Sequence, residues 1–208
     1  MCVVALAWRI HPDWPLILVG NRDEFHARAS AALASWDDGS GIVAGRDLKA
    51  GGTWLGAHRP SGRVVVVTNV RGAMPDPAKE SRGAMVADML RGDGRFADPA
   101  AADLDRFNAF NLFAVDGSAR LLTNRPNARV VPLEAGVHAL ANEPIDSPAR
   151  GPSGCGRLSA PWSRPVPRPM AFSTRFRRPA IRRCSSKARF MAPAARRWSQ
   201  SLPTAVRE

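Results

Sequence analysis

Two apolar stretches open the chain, Cys2–Ile10 and Leu16–Gly20, on either side of a turn-forming His11-Pro-Asp-Trp-Pro15. The pattern predicts an antiparallel hairpin with a five-residue loop. The second stretch breaks into a polar run, Asn21-Arg-Asp-Glu24, which the hairpin carries back beside the chain start. Ala27–Ser40 reads as small residues and turns. Ile42–Arg46, Thr53–His58 and Arg63–Asn69 read as short strands, parted by Ala50-Gly-Gly52 and Pro60-Ser-Gly62. Val64–Val67 has no alternation, so it predicts a strand buried on both faces.

A helix follows. Ser81 is its predicted N-cap, Met85/Met89 and Val86/Leu90 repeat at helical spacing, and Gly92 suits the stop. A second helix is expected from Asp98 as cap and Pro99 at the first turn to about Phe107. Phe110–Val115, Arg120–Thr123 and Val137–Ala141 then read as strands. Strands, helices, then strands predict an α+β domain with antiparallel sheets rather than alternating βαβ units.

Charge divides the chain. Of its 208 residues, 1–148 hold 16 Lys/Arg and 17 Asp/Glu, whereas 149–208 hold 14 Lys/Arg and one acid, Glu208. The net charge of +12 is therefore a property of the last sixty residues. Those residues are rich in Pro, Arg and Ser, and Arg164-Pro-Val-Pro-Arg-Pro169 suits neither a core strand nor a helix. Three readings of 149–208 stand: a basic arm, a solvated tail, or a stretch read in the wrong frame. The sharpness of the charge break favours the last. The tail is expected to be disordered and to leave a sheet edge unpaired, and the chain to be inactive as it stands.

The composition excludes several classes. Cys2, Cys155 and Cys184 are too scattered for a disulfide framework or a metal knuckle. His11, His26, His58 and His138 have no ligand spacing. The glycines around Gly51 lack the context of a nucleotide loop. No nucleic-acid partner and no transmembrane segment are expected, and the expected compartment is the cytoplasm.

Cys2 is the candidate for chemistry. Removal of Met1 would give one residue both a thiol, of free pKa roughly 8.5, and an α-amine titrating at about 7.7–8.0. An N-terminal nucleophile that uses its own amine as base is a known form of activation. The other reading is a cysteine packed as a small hydrophobe at a strand start. Arg22 and Asp23 equally read as an ion pair at a strand end, and Asn69 and Asn142 as turn residues.

Met1-Cys2, Asn21-Arg-Asp-Glu-Phe25, Ala44-Gly-Arg-Asp47, Gly51-Gly-Thr-Trp-Leu-Gly56, Thr68-Asn69, Ser81-Arg-Gly83, Phe110-Asn-Leu112 and Ala141-Asn142 occur in this order. Together they resemble the NRDE family, also called the transport and Golgi organisation family, over residues 1 to about 148. That family in turn resembles the N-terminal nucleophile hydrolases. The resemblance implies stacked antiparallel sheets flanked by helices, incomplete here at the C-terminus. It implies Cys2 as nucleophile, with Arg22 and Asp23 holding and polarising its thiol and amine. Asn69 and Asn142 would serve on the oxyanion and substrate sides. The late arginine of such enzymes has no counterpart that can be assigned. The implied activity is amide hydrolysis or acyl transfer on a small-molecule substrate, with no cofactor. The alternative is a non-catalytic protein handling haem or lipid, for which His11, His26, His58 and Cys2 are candidate axial ligands.

Overall fold

The computed structural model describes residues 2–72 and 74–146, and the backbone of 185–192. Alternation drives the first pairing. Val4, Leu6 and Trp8 of β1 (Val3–Trp8) are buried, as are Leu16 and Leu18 of β2 (Leu16–Asp23). The two strands form the expected hairpin, with Val3 opposite Asn21 and Trp8 opposite Leu16. The strand outlasts its apolar run, because Asn21, Arg22 and Asp23 continue the ladder.

Seven further strands form one antiparallel sheet in the order β3-β4-β5-β6-β7-β8-β9. They are β3 (Ser30–Ser35), β4 (Ile42–Asp47), β5 (Leu55–His58), β6 (Val64–Asn69), β7 (Phe110–Val115), β8 (Ala119–Thr123) and β9 (Arg129–Leu133). The smaller sheet has the order β10-β1-β2-β11, with β10 (Gly136–Leu140) and β11 (Ser185–Ala192). The sheets pack face to face. Leu6, Leu16 and Leu18 of the smaller sheet share a core with Leu55, Val64, Val66 and Phe113 of the larger.

Val65 lies in the second core, on the far face of the large sheet, with Met85, Val86, Met89 and Leu90 of helix α1 (Arg82–Arg91). Both faces of Val64–Val66 are thus buried, as the unbroken apolar run predicts. Full burial of such a side chain contributes roughly 1.5–3 kcal/mol. Ser81 caps α1 by accepting from the Ala84 N–H at 3.3 Å, and Gly92 ends it in the left-handed region at φ 76°. The architecture is α+β, two stacked antiparallel sheets with helices, among the described residues, on the outer face of the large sheet.

Four expectations need correction. Ala27–Ser40 holds an edge strand, β3, whose six residues are all exposed and so lack the apolar signal of a half-buried strand. β9 was not foreseen because Pro132 interrupts it; at the sheet edge a proline gives up no needed ladder bond. The second helix, α2, is one turn, Ala101–Leu104; it starts at Ala100, whose N–H donates to the Asp103 carboxylate at 3.1 Å, while the Asp98 carboxylate meets Arg120 at 2.8 Å. Within the basic tail, Ser185–Ala192 is a strand paired along β2, Ser185 opposite Asp23 and Ala192 opposite Leu16. That pairing covers the outer edge of β2. The rest of 147–208 lies outside the described residues.

Candidate functional site

The registers of β1 converge on Cys2. Val4 faces Leu140 across β10, so two more residues of the same register bring Cys2 opposite Asn142. On the other side, Val3 faces Asn21, so Cys2 comes opposite Arg22. The contacts follow. The Cys2 N–H donates to Asn142 Oδ1 at 2.6 Å, and Asn142 Nδ2 donates to the Asn69 carbonyl at 2.6 Å. The Asp23 N–H points at the Cys2 sulfur from 3.4 Å, and the thiol lies 3.6 Å from the Asp23 carbonyl. Four of the five expected site residues, Cys2, Asp23, Asn69 and Asn142, are thereby joined in one chain of contacts.

Their parts differ from simple expectation. Both polar ends of the Asn142 side chain are engaged, so it anchors the Cys2 nitrogen rather than offering a free donor. Asn69 has an exposed side chain on the cavity wall, and its side-chain amide hydrogen-bonds to no described residue. It is the amide left available to a ligand. Arg22 lies flat on the Trp54 ring, 4.0 Å from its centroid, and pairs with Glu24 at 3.3 Å. Its partner is Glu24, so an Arg22–Asp23 pair is not what holds this strand end.

These residues edge a cavity of about 570 Å³ at the end of the sandwich. Val4 and Leu18 wall it on the small sheet, and Leu55 and Val66 on the large one. The first turn of α1 and the loop before it close the remaining side. Concave, mainly apolar sites of this size hold small molecules. Among the described residues no group of three His, Cys, Asp or Glu could hold a metal. Of the candidate axial ligands, Cys2 lines the cavity, whereas His11, His26 and His58 do not. His58 instead meets Ser61 Oγ at 2.7 Å near the surface. No helix among the described residues is long and apolar enough to cross a membrane.

Asn111, Thr68 and Thr123 form a buried polar group that the sequence did not single out. Asn111 Nδ2 donates to the Glu143 carbonyl at 2.8 Å and the Ala141 carbonyl at 3.4 Å. Thr68 Oγ1 donates to the Ala141 carbonyl at 3.2 Å, and Thr123 Oγ1 to Asn111 Oδ1 at 2.8 Å. This group fixes the segment that carries Asn142. The signal was present, since Asn111 and Thr68 belong to the Phe110-Asn-Leu112 and Thr68-Asn69 pieces that carry the family resemblance. Asn111→Ala takes the side-chain donor from the Glu143 carbonyl and one of two side-chain donors from the Ala141 carbonyl, while Thr123 Oγ1 keeps the Phe110 and Arg125 carbonyls as acceptors. At roughly 1–3 kcal/mol per unsatisfied buried group, the expected loss is about 1–3 kcal/mol. Denaturant unfolding measures it. A loss below about 1 kcal/mol would mean that the segment is held by other contacts.

Charge at the cavity is ordered. Arg28 places Nε and Nη2 on Asp47 Oδ2 at 2.8 and 2.6 Å, and the N–H groups of Lys49 and Ala50 donate to Oδ1. Partial burial pushes the Asp47 carboxyl up, but these donors and the Arg28 charge together hold it below its ordinary value of 3.8. A carboxyl depressed in the folded state adds stability above its ordinary value and loses it as pH falls through the folded one. The stability gap between the native chain and Asp47→Asn should therefore be full at neutral pH and shrink once pH drops below 3.8. Melting curves across that range check this, and a gap independent of pH would remove the ionised pair from the account.

Residues 1–167 match the Transport and Golgi organisation 2 family. The match runs past residue 148, where the sequence alone put the boundary. A Bos taurus Transport and Golgi organization protein 2 homolog is 30% identical over 166 residues, covering 72% of this chain and 60% of that protein. The Drosophila melanogaster protein of that name is 32% identical over 147 residues, covering 61% and 52%. The chain thus spans little more than half the length of these relatives. Among solved structures, a Caenorhabditis elegans N-acylethanolamine-hydrolyzing acid amidase ortholog is similar at a TM-score of 0.43 and 11% identity. That alignment covers 68% of this chain and 70% of the amidase.

Proposed function

The chain belongs to the Transport and Golgi organisation 2 family, and from that premise we propose that its site is that of an N-terminal cysteine amidohydrolase or acyl transferase. Removal of Met1 turns the Cys2 nitrogen into an α-amine that takes the thiol proton. The sulfur attacks the amide carbon, and the oxyanion so formed meets the free Asn69 amide. The C–N bond breaks, the amine departs with the proton held by the α-amine, and a Cys2 thioester remains. Water, or a second amine, then releases the acyl group and restores the thiol. Asn142 keeps the α-amine turned toward the sulfur.

The observation that carries this reading is the double fixing of Cys2 at a cavity wall, its nitrogen on Asn142 and its sulfur on the Asp23 backbone. Intact mass spectrometry is the test. The mature chain should lack Met1 and, on brief exposure to a p-nitrophenyl decanoate ester, gain one decanoyl group on Cys2. Retention of Met1 sinks the reading. A mature chain that forms no adduct favours the expectation that it is inactive as it stands.

A second reading, a non-catalytic carrier of haem or lipid, draws on the apolar walls of the same cavity and on Cys2 as the one candidate axial ligand there. A Soret band at a thiolate position on haem addition, lost in Cys2→Ala, would favour it.

A further inference from the structure

Of the three arginines along the cavity wall two are paired with carboxylates, and the lysines there, Lys49 and Lys79, are exposed to solvent. Arg22 meets Glu24, and Arg28 meets Asp47. Glu80 meets Arg95 and Arg106, while Asp76 Oδ1 accepts from the Ala78 N–H. Arg82, half-buried in the first turn of α1, has no such partner. Its Nη1 donates to the Ala109 carbonyl at 2.9 Å, and among the described residues no carboxylate bonds to it. Burial, and then the nearby charge of Arg28, pull its pKa below the ordinary arginine value, while Glu24 acts weakly the other way. A guanidinium stays charged through such shifts. A partly desolvated cation with most of its donors free is costly unless a ligand supplies the counter-charge.

A second feature bears on the ligand. Of the six large hydrophobics exposed among the described residues, one lines this cavity and two adjoin lining residues in sequence. Phe25 lines it and is 83% exposed, Leu48 lies between the lining residues Asp47 and Lys49, and Met74 precedes the lining residue Pro75. Val4, Leu18, Leu55 and Val66 add apolar lining to the cavity that Cys2 edges.

We propose that the substrate is an anionic amphiphile, an acyl amide whose amine portion bears a carboxylate or phosphate, and that Arg82 binds this oxyanion group. The assignment names the substrate class of the Cys2 site and so rests on that reading for the chemistry, though not for the binding. Arg82 acts as a specificity-determining residue. Its fork of N–H donors suits bidentate capture of an oxyanion.

The experiment separates the two claims by measuring binding apart from turnover. Decanoylglycine, decanoyl-O-phosphoethanolamine and decanoylethanolamine share one acyl chain and differ in head group. Calorimetric titration of each into the full Cys2→Ala chain reads affinity without reaction. The expected result is tighter binding of one or both anionic amides, by roughly 10-fold or more over the neutral one, with the advantage shrinking as salt rises. Which anion gains more distinguishes carboxylate from phosphate. Arg82→Gln should erase the advantage and leave the neutral amide's affinity unchanged, while Arg82→Lys should retain part of it. Equal affinities for all three in the Arg82 chain would overturn the proposal without need of any variant. So would an anion preference that survives Arg82→Gln. If the anions bind but the Cys2 chain does not cleave them, the hydrolase reading fails and the anion site stands. If the neutral amide is cleaved with no anion preference, the hydrolase reading stands and Arg82 is not the anchor.

Discussion

Cys2→Ala is expected to abolish amide turnover, by on the order of 10³- to 10⁶-fold, and to leave the fold intact. The rate loss follows from chemistry. Without sulfur there is no atom to form the thioester, and a fixed α-amine alone cannot replace it. The fold should survive because the thiol is half-buried and its contacts are to the Asp23 backbone, which stays in the β2 ladder. A cost within about 1 kcal/mol is expected from so small a truncation. Cys2→Ser should be nearly as inactive, since its hydroxyl needs stronger activation than a thiol does. Initial rates on decanoylglycine and melting curves, taken on one preparation, give both readings. Retention of more than about a tenth of the rate in Cys2→Ala would move the chemistry to another residue.

Gly52→Ala is expected to cost about 3 kcal/mol or more and to distort the cavity. A Cβ on Gly52 would lie 2.4 Å from the Gly83 carbonyl carbon, 2.5 Å from its oxygen and 2.8 Å from the Ala84 nitrogen. These are backbone atoms of the first turn of α1, with no side chain to swing aside. The helix must move off the sheet, against its buried Met85, Val86 and Leu90, and overpacking of this kind costs roughly 1–3 kcal/mol, occasionally more. The Thr53 N–H to Gly83 carbonyl bond at 3.2 Å would open with it. Because the same turn carries Arg82, substrate affinity should fall together with stability. Gly51 supplies the comparison. It has open space around its Cβ position but sits at φ 74°, so Gly51→Ala meets only the left-handed strain of about 1–2 kcal/mol. Equal melting temperatures for the two variants would show that the close approach of Gly52 to α1 does not limit stability.

Local pattern carried much of this molecule. Alternation in Val3–Trp8 and Leu16–Leu18, with a Pro-rich loop between, is enough for the hairpin. The cap at Ser81 and the stop at Gly92 are enough for α1, because both ends of a helix are satisfied by nearest neighbours. The unbroken Val64–Val67 run announced a strand with a core on each side. The hairpin alone placed Cys2 beside Asn21–Glu24, so half of the candidate site followed from twenty residues of sequence.

Only the tertiary structure decided the rest. Asn142 reaches Cys2 through the β1–β10 pairing, across 140 residues, and no local periodicity encodes that register. Nor could the sequence divide the two asparagines. Asn142 spends both ends of its amide on the Cys2 nitrogen and the Asn69 carbonyl, whereas the Asn69 side-chain amide bonds to no described residue. Arg22 looked like a partner for the adjacent Asp23. Successive residues of a strand point to opposite faces, so its guanidinium instead finds Glu24 and the Trp54 ring on its own side. The edge strands β3 and β9 stayed hidden because an edge needs neither a buried face nor every N–H. Arg82 stood in plain view in the sequence as one arginine among many. It becomes distinct only when folding pairs Arg22 and Arg28 with carboxylates and leaves Arg82, half-buried, with none among the described residues.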